Sequence, residues 1–562
     1  MTLPQTGRQA KVMKGNTQKR EGIVLLLGAV IYAALYALLS QIDEAGTCAA
    51  GEAARRFCIA LPVALAVLAL LLKGIPLAMG KRPKHASDGR KDGDFCTAGA
   101  YALIFLAYVP QFLVFYPGSF MYDTQRQTFQ IAGNAYDTFH PLLHTLMIRF
   151  CLSFSGLLGS FEKCAALYSL LQMLLLSLCF ALVCASMARV CSRNAGRRTL
   201  AFFMLYPTHA AMASNCIKDV LFSGFFALFV MLCTERVACG RLPRRRAALH
   251  VLAGALACLL RNNMIYAMLV WAALLALVCL VQRGRARDAQ TRFAAAGLFM
   301  ATALSMALGT GVNAGLAAVT DAAHGSVAEM LSVPIQQLAR AVWVSPESFD
   351  EGDMALMDAL FPKQEYLLYE PTLSDPVKNG MDTAFFSEHV GEAAALWARI
   401  GLRCPGVYVD AFLNLALPSL YPYSEYRVAQ PYIEVGLQNH VLTGPFAQPD
   451  MSSPVRFEGL RTWLDEHIWR TGADDVPAAR LLFNTGAVFW LCGLCVLAAA
   501  FAGEWRRLLV LALPVLLYMT YLLGPVMQGR YLYPFVCILP VLLAGLGALR
   551  PQGQTKREGH DG

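Results

Sequence analysis

Runs of apolar residues dominate this chain, beginning with GIVLLLGAVIYAALYALLS at Gly22–Ser40. Several reach the roughly 20 residues a helix needs to cross about 30 Å of hydrocarbon. With 57% hydrophobic and 15% charged residues over 562 positions, and a mean hydropathy of +0.47, the chain lies outside the soluble globular range. The pattern predicts an all-α polytopic membrane protein with about 12 transmembrane helices. The expected spans are 22–40, 57–79, 98–117, 164–188, 199–213, 216–234, 247–260, 264–282, 293–318, 480–501, 508–524 and 531–549. The first run follows Lys11, Lys14, Lys19 and Arg20 but has no convincing small-residue cleavage site, so it reads as a retained helix rather than a signal peptide.

A net charge of +9 is compatible with nucleic-acid binding, but its distribution argues against that partner. Basic residues cluster in short loops at 80–94, 189–198, 235–246 and 283–292, at Arg506 and Arg507, and in the tail at Arg550, Lys556 and Arg557. With both termini in the cytoplasm these segments all fall inside, as the positive-inside bias requires, and the exception among the short basic loops is Arg55 and Arg56 in the first outer loop. Counting 141–158 as a further span would invert everything after it. That segment is therefore expected to be re-entrant or to lie along the outer surface, starting at the His140-Pro141 pair. The 17 cysteines are mostly scattered through apolar runs and indicate neither a zinc site nor a disulfide framework; a Cys48–Cys58 pair near the first outer loop is left open, since nothing in the sequence forces it.

The expected organisation is a cytoplasmic tail with two accessory helices (1–97), a membrane module (98–319) with outer loop 118–140, a mostly helical extracytoplasmic region (320–479), C-terminal membrane helices (480–549) and a cytoplasmic tail (550–562). The long hydrophilic region is acidic, yet Trp343, Trp397, Trp463 and Trp469 recur in it among apolar residues, which disordered segments lack. Segments 326–342 and 383–400 have helical periodicity, and 405–420 is apolar but broken by Pro405 and Pro418, an expected membrane-surface segment. No GxxxxGK[ST] and no GxGxxG in a strand–helix context occurs, which argues against an ATP-driven pump.

The ionisable residues that are candidates for chemistry sit at the predicted outer turns: Asp123, Asp137, His140 and His144; Lys218 and Asp219; Arg261 with Asn262; and Arg530 with Tyr531. Charge at the end of an apolar helix is costly unless paired or hydrated, so such residues mark candidate polar sites. Asp123 is the candidate catalytic base, able to take a proton from an acceptor hydroxyl; the competing reading makes it an N-cap of the helix that follows. Lys218, Arg261 and Arg530 suit phosphate oxygens, against a reading in which they reach out to lipid headgroups. His140 and His144 are one helical turn apart and so can both face a phosphate or a metal. A divalent cation (Mg or Mn) is compatible with the sequence without being required, with Asp123 and His140 as its candidate ligands.

The order of outer-loop Asp123, the His140-Pro141 helix, the Lys218-Asp219 turn, the Arg261-Asn262-Asn263 turn, the SVPIQQLAR stretch at Ser332–Arg340 and the closing Gly529-Arg530-Tyr531 motif resembles an uncharacterised family of bacterial polytopic membrane proteins. That family in turn resembles the C-type glycosyltransferases. The resemblance implies transfer of a sugar from a polyprenyl-phosphate donor to a cell-envelope glycan or lipid at the outer face of the bacterial cytoplasmic membrane. Asp123 would then act on the acceptor, Asp219 would match a second acidic position, and Arg530 would hold the donor phosphate. The rival expectations are a transporter or flippase of a lipid-linked precursor, which needs polar residues at mid-membrane depth, and a non-catalytic envelope assembly protein.

Overall fold

The computed structural model describes residues 5–78, 95–120, 122–281, 289–323, 325, 327–422, 457–469 and 484–543. The basic loop 80–94, most of 283–292, the stretches 423–456 and 470–483, and the C-terminal tail lie outside the described residues. Among the described residues the chain is all-α apart from two two-residue strands.

Seven helices among the described residues are long and apolar enough to cross a membrane: Thr17–Ala45, Ala50–Leu72, Thr97–Val114, Phe161–Val190, Lys218–Cys239, Asn263–Val281 and Thr291–Thr320. Val390–Arg403 and Pro405–Leu420, bent by 105°, make an eighth if counted as one broken span. The expectation of about 12 is therefore corrected to seven or eight among the described residues. Counting apolar runs overshoots because a run crosses alone only as one continuous helix of sufficient length. Arg244–Leu260 has 17 residues and opens with three arginines. The 199–213 run is broken at Tyr206 into Arg193–Leu205 and Pro207–Ala213. Trp505–Tyr521 has 17 residues, and Gly529–Leu543 has 15 with two prolines inside it. So low a count also removes the basis for the C-type glycosyltransferase fold, and the glycosyltransferase and polyprenyl-phosphate identifications drawn from that likeness fall with it.

Burial ranks the helices. In Lys218–Cys239, 89% of the most apolar window is buried inside the protein, against 11% in Ala50–Leu72, so the former is the axis of the bundle and the latter faces outward. The axis packs Phe222, Phe226 and Phe229 against neighbouring helices. Its Cys239 end carries Glu235, 2% exposed, paired with Arg246 and with Arg189 at 3.8 Å. Lys218 stands at the other end, about 26 Å away at 1.5 Å per helical residue. The 141–158 segment folds as Leu142–Leu152 and Ser155–Leu158, both too short to cross.

The hydrophilic region has a core of its own, built from Ile335, Leu338, Met357, Leu360, Leu396 and Ile400 among others. Asp353, 1% exposed, ties it together by accepting from Arg399 and from Arg403 at 2.8 Å. The Arg55 and Arg56 anomaly has a local explanation: Arg56 pairs with Glu44 at 2.6 Å and Glu52 at 2.7 Å, and Arg55 with Glu52 at 2.7 Å. Cys48 and Cys58 are free thiols.

The small sheet organises one end of the bundle. Ser119–Phe120 pairs in parallel with Asn215–Cys216, joining the stretch before Asp123 to the stretch before Lys218. Polar side chains of the Phe161–Val190 helix fix both strands. Ser169 Oγ donates to Pro117 O at 2.7 Å, and Gln172 Nε2 donates to Ala213 O and Asn215 O at 3.0 and 2.7 Å. Gly118 makes the approach possible, with φ +119° and Ser169 Oγ only 2.2 Å from where a Cβ would stand. Gly118→Ala is accordingly expected to lose about 1–3 kcal/mol of stability. A thermal unfolding scan in detergent checks this, with Gly311→Ala, a helix-interior position whose Cβ meets open space, as the control expected to hold or gain stability.

Candidate functional site

The parallel pairing sets Asp123 beside Lys218, and the turn before Gly529–Leu543 delivers Arg530 to the same point. Lys218 Nζ donates to Asp123 Oδ2 at 2.8 Å. The Arg530 guanidinium lies over the same carboxylate, Nη1 at 3.3 Å from Oδ2 and Nη2 at 3.4 Å from Oδ1. Arg530 is 3% exposed, so it does not reach out to headgroups. Asp123 falls in the first turn of Tyr122–Gly133, but its oxygens serve these two cations.

Lys218 Nζ also donates to His140 Nδ1 at 3.0 Å. That contact makes Nδ1 the acceptor and puts the ring proton on Nε2, a buried atom with no hydrogen-bond partner. Arg261 is held differently. It pairs with the fully buried Asp219, and its guanidinium lies 4.3 Å from the ring centre of Tyr521 and 4.5 Å from that of Tyr531. Ion pair and ring faces together fix a buried cation in one orientation.

These groups line a cavity of about 550 Å³ with Asn262, Asn263, Gln528 and Tyr531. The hydrophilic region supplies the opposite wall: Lys378, 4% exposed, is clamped by Glu329 at 2.6 Å and Asp375 at 2.7 Å. Sequence reasoning missed Glu329, Asp375 and Lys378, which no spacing separates from the other charges of an acidic region. It also missed Tyr521, which reads as core within an apolar run.

Asp123, His140, Lys218, Arg261, Asn262, Arg530 and Tyr531 thus meet, and three other expected site residues do not line the cavity. His144 is fully buried behind it, Nδ1 donating to Gln127 Oε1 at 2.8 Å and Nε2 accepting from Tyr168 Oη at 2.7 Å. It is a structural group, so the two histidines do not act as a pair. Asp137 shapes the loop, accepting from Phe139 N at 3.0 Å and facing Arg126 at 3.6 Å. Asp219 serves Arg261. No group of three His, Cys, Asp or Glu side chains that could hold a metal ion occurs among the described residues.

Burial works to raise the Asp123 carboxyl's pKa, but the charges of Arg530 and Lys218 outweigh it and hold the group well below the usual carboxylate range. Burial, and then the charge of Lys218, push His140 down to about 2. Asp123 is therefore ionised and His140 neutral through the physiological range. Asp123 is a carboxylate whose folded pKa is depressed, so its contribution to stability is complete above about pH 4 and is lost as the pH falls through the depressed value.

Fold and site together define an all-α polytopic membrane protein whose charged cavity closes one end of an apolar bundle. Most of the chain has relatives. It belongs to DUF6020, a family of unknown function, whose model matches residues 133–559. His140, Lys218, Arg261 and Arg530 lie within the matched part, and Asp123 precedes it. No curated protein and no solved structure matches the chain.

Since neither Asp123 nor His140 changes protonation between pH 5 and 8, sulfate affinity measured by calorimetry over that interval is expected to show no transition from either group. A step centred near 6.5 that disappears in His140→Gln would count against the neutral imidazole.

Proposed function

We propose that this protein is a membrane-surface transferase that takes a group from a lipid-borne, phosphate-linked donor and passes it to a hydroxyl acceptor. The observation that supports this reading is the meeting of Asp123, Lys218 and Arg530, distant in sequence, in one polar cavity at the end of an otherwise apolar bundle. Lys218, Arg530 and Arg261 hold the donor phosphate, and the Asp123 carboxylate accepts the proton of the acceptor hydroxyl. As the acceptor oxygen bonds to the transferred group, that group's bond to phosphate oxygen breaks. The phosphate leaves with the electron pair, its charge already met by fixed cations. At rest Asp123 neutralises the cations the phosphate will use, so a dianionic ligand competes with it for them and frees it to act as a base.

The cavity is taken to face the extracytoplasmic side. Arg189, Arg193, Arg197, Arg198, Arg241, Arg244, Arg245 and Arg246 crowd the opposite end, where the positive-inside bias puts the cytoplasm. Against transport, the axis helix between the two ends is packed with buried phenylalanines at 222, 226 and 229 rather than with polar groups.

The test is donor consumption by the purified protein in lipid nanodiscs, against a panel of lipid phosphates bearing sugars or other groups, each with a hydroxyl acceptor. Asp123→Asn is expected to slow consumption by about 10²-fold or more, and Arg530→Ala by a comparable factor. Consumption at the wild-type rate in both variants would overturn the proposal.

A further inference from the structure

A second cavity, of about 380 Å³, lies between the first helix and the three C-terminal ones, lined by Ile31, Tyr32, Phe489, Val496, Val515 and Phe535 among others. Its hydroxyls are already committed: Tyr32 Oη donates to Trp490 O at 2.7 Å and Tyr518 Oη to Ser419 O at 3.1 Å. An occupant therefore meets hydrocarbon. Ile31 and Tyr32 stand near the middle of the Thr17–Ala45 span, which sets the slot at hydrocarbon depth, whereas the charged cavity sits where spans end. Ile31 and Val515 are 52% and 40% exposed, so the slot opens sideways, toward lipid.

The two cavities share a wall. On the Gly529–Leu543 helix, Tyr531, Phe535 and Leu542 fall on one face by their spacing. Tyr531 lines the charged cavity, and Phe535 and Leu542 line the slot. On Trp505–Tyr521, Tyr521 lines the charged cavity and Tyr518, one turn deeper, lines the slot. The Tyr521 ring bridges them, with centroids 5.9 Å from Tyr531 and 6.0 Å from Phe535. On the Trp505–Tyr521 helix the slot's wall runs from Met519 down to Leu511, about 12 Å.

We propose that the slot holds a hydrocarbon chain of the same phosphate-bearing lipid whose head enters the charged cavity. This rests on reading that cavity as a phosphate site. The attraction is close packing rather than escape from water, since lipid chains are as apolar as the slot. One wall comes from the Thr17–Ala45 helix, which lies outside the part of the chain the family model matches. That helix thereby gains a role in choosing the chain.

The test uses the full-length protein in nanodiscs with dodecyl phosphate carrying a diazirine at the chain end, with adducts mapped by mass spectrometry. Adducts are expected on Ile31, Phe489 and Val515, and excess inorganic phosphate should suppress them. Val515→Trp, which fills the slot, should cut their yield at least fivefold while leaving the affinity for butyl phosphate within twofold. Leu497→Trp provides the same obstruction if the first variant does not fold. Adducts spread equally over the outward-facing Leu70 and Leu277, or undiminished in both tryptophan variants, would overturn the slot. Loss of the slot pattern with butyl phosphate still bound would leave the phosphate reading standing. Butyl phosphate bound equally well by Arg530→Ala would instead overturn that reading.

Discussion

The carboxylate of Asp123 between Lys218 and Arg530 is the contact on which the rest of this end of the protein depends. Removing charges from water costs several kcal/mol per ion, and removing one member of a buried set leaves its partners uncompensated. Two cations and one anion leave a net positive charge with the cavity in front of it. The chain can sustain that only because each member is placed by something rigid. Asp123 and Lys218 follow the two strands of one parallel pair, held from behind by Ser169 and Gln172. Arg530 opens a helix buried along nearly its whole length. The arrangement is complementary to an anion, and Asp123 occupies the place an anion would take.

Arg261 solves the same problem by other means. Its charge is matched by the buried Asp219, and two tyrosine faces fix its plane. It therefore brings directed N–H groups to the cavity wall more than net charge. The triad and this pair together separate the two tasks a phosphate site needs, attraction and orientation.

Much of this was legible because polar residues at the ends of apolar runs are expensive and so stand out. Asp123, Lys218, Arg261 and Arg530 were all visible on that ground, although they are separated by up to 407 positions. What the sequence could not give was direction. His144 shares a helical stretch with His140, but nothing in a four-residue spacing says which face meets the cavity, and His144 looks toward Gln127 and Tyr168 instead. Asp137 and Asp219 were equally visible as charges, and their partners, Arg126 and Arg261, lie far enough away in sequence to be hidden from local reasoning. The span count failed for a different reason. Hydropathy measures whether a segment tolerates lipid, not whether one unbroken helix is long enough to cross; the Tyr206 break is set by Pro207, which opens the next helix, and Gly529–Leu543 spans only 15 residues and carries Pro534 and Pro540 inside it.

The hydrophilic region is bound into the membrane bundle at several places, and the positions of two of them bear on what it does. At one edge Arg340 and Asn414 donate to Gly46 O at 2.6 and 2.8 Å, and Asp410 accepts from Cys48 N at 3.1 Å, so the region grips the turn between the first two helices. At another, Ser374 N donates to Pro525 O at 2.8 Å and Leu373 forms a bridge with Val526. Pro525 and Val526 belong to the turn that leads into Arg530, and Asp375 and Lys378, just after Leu373, line the cavity. A detachable docking module would touch the bundle through side chains at its rim. Here backbone hydrogen bonds from the hydrophilic region fix the segment that aims a buried guanidinium. The position of Arg530 over Asp123 is thus set jointly by the membrane helices and the hydrophilic region, and the charged cavity exists only where the two are joined.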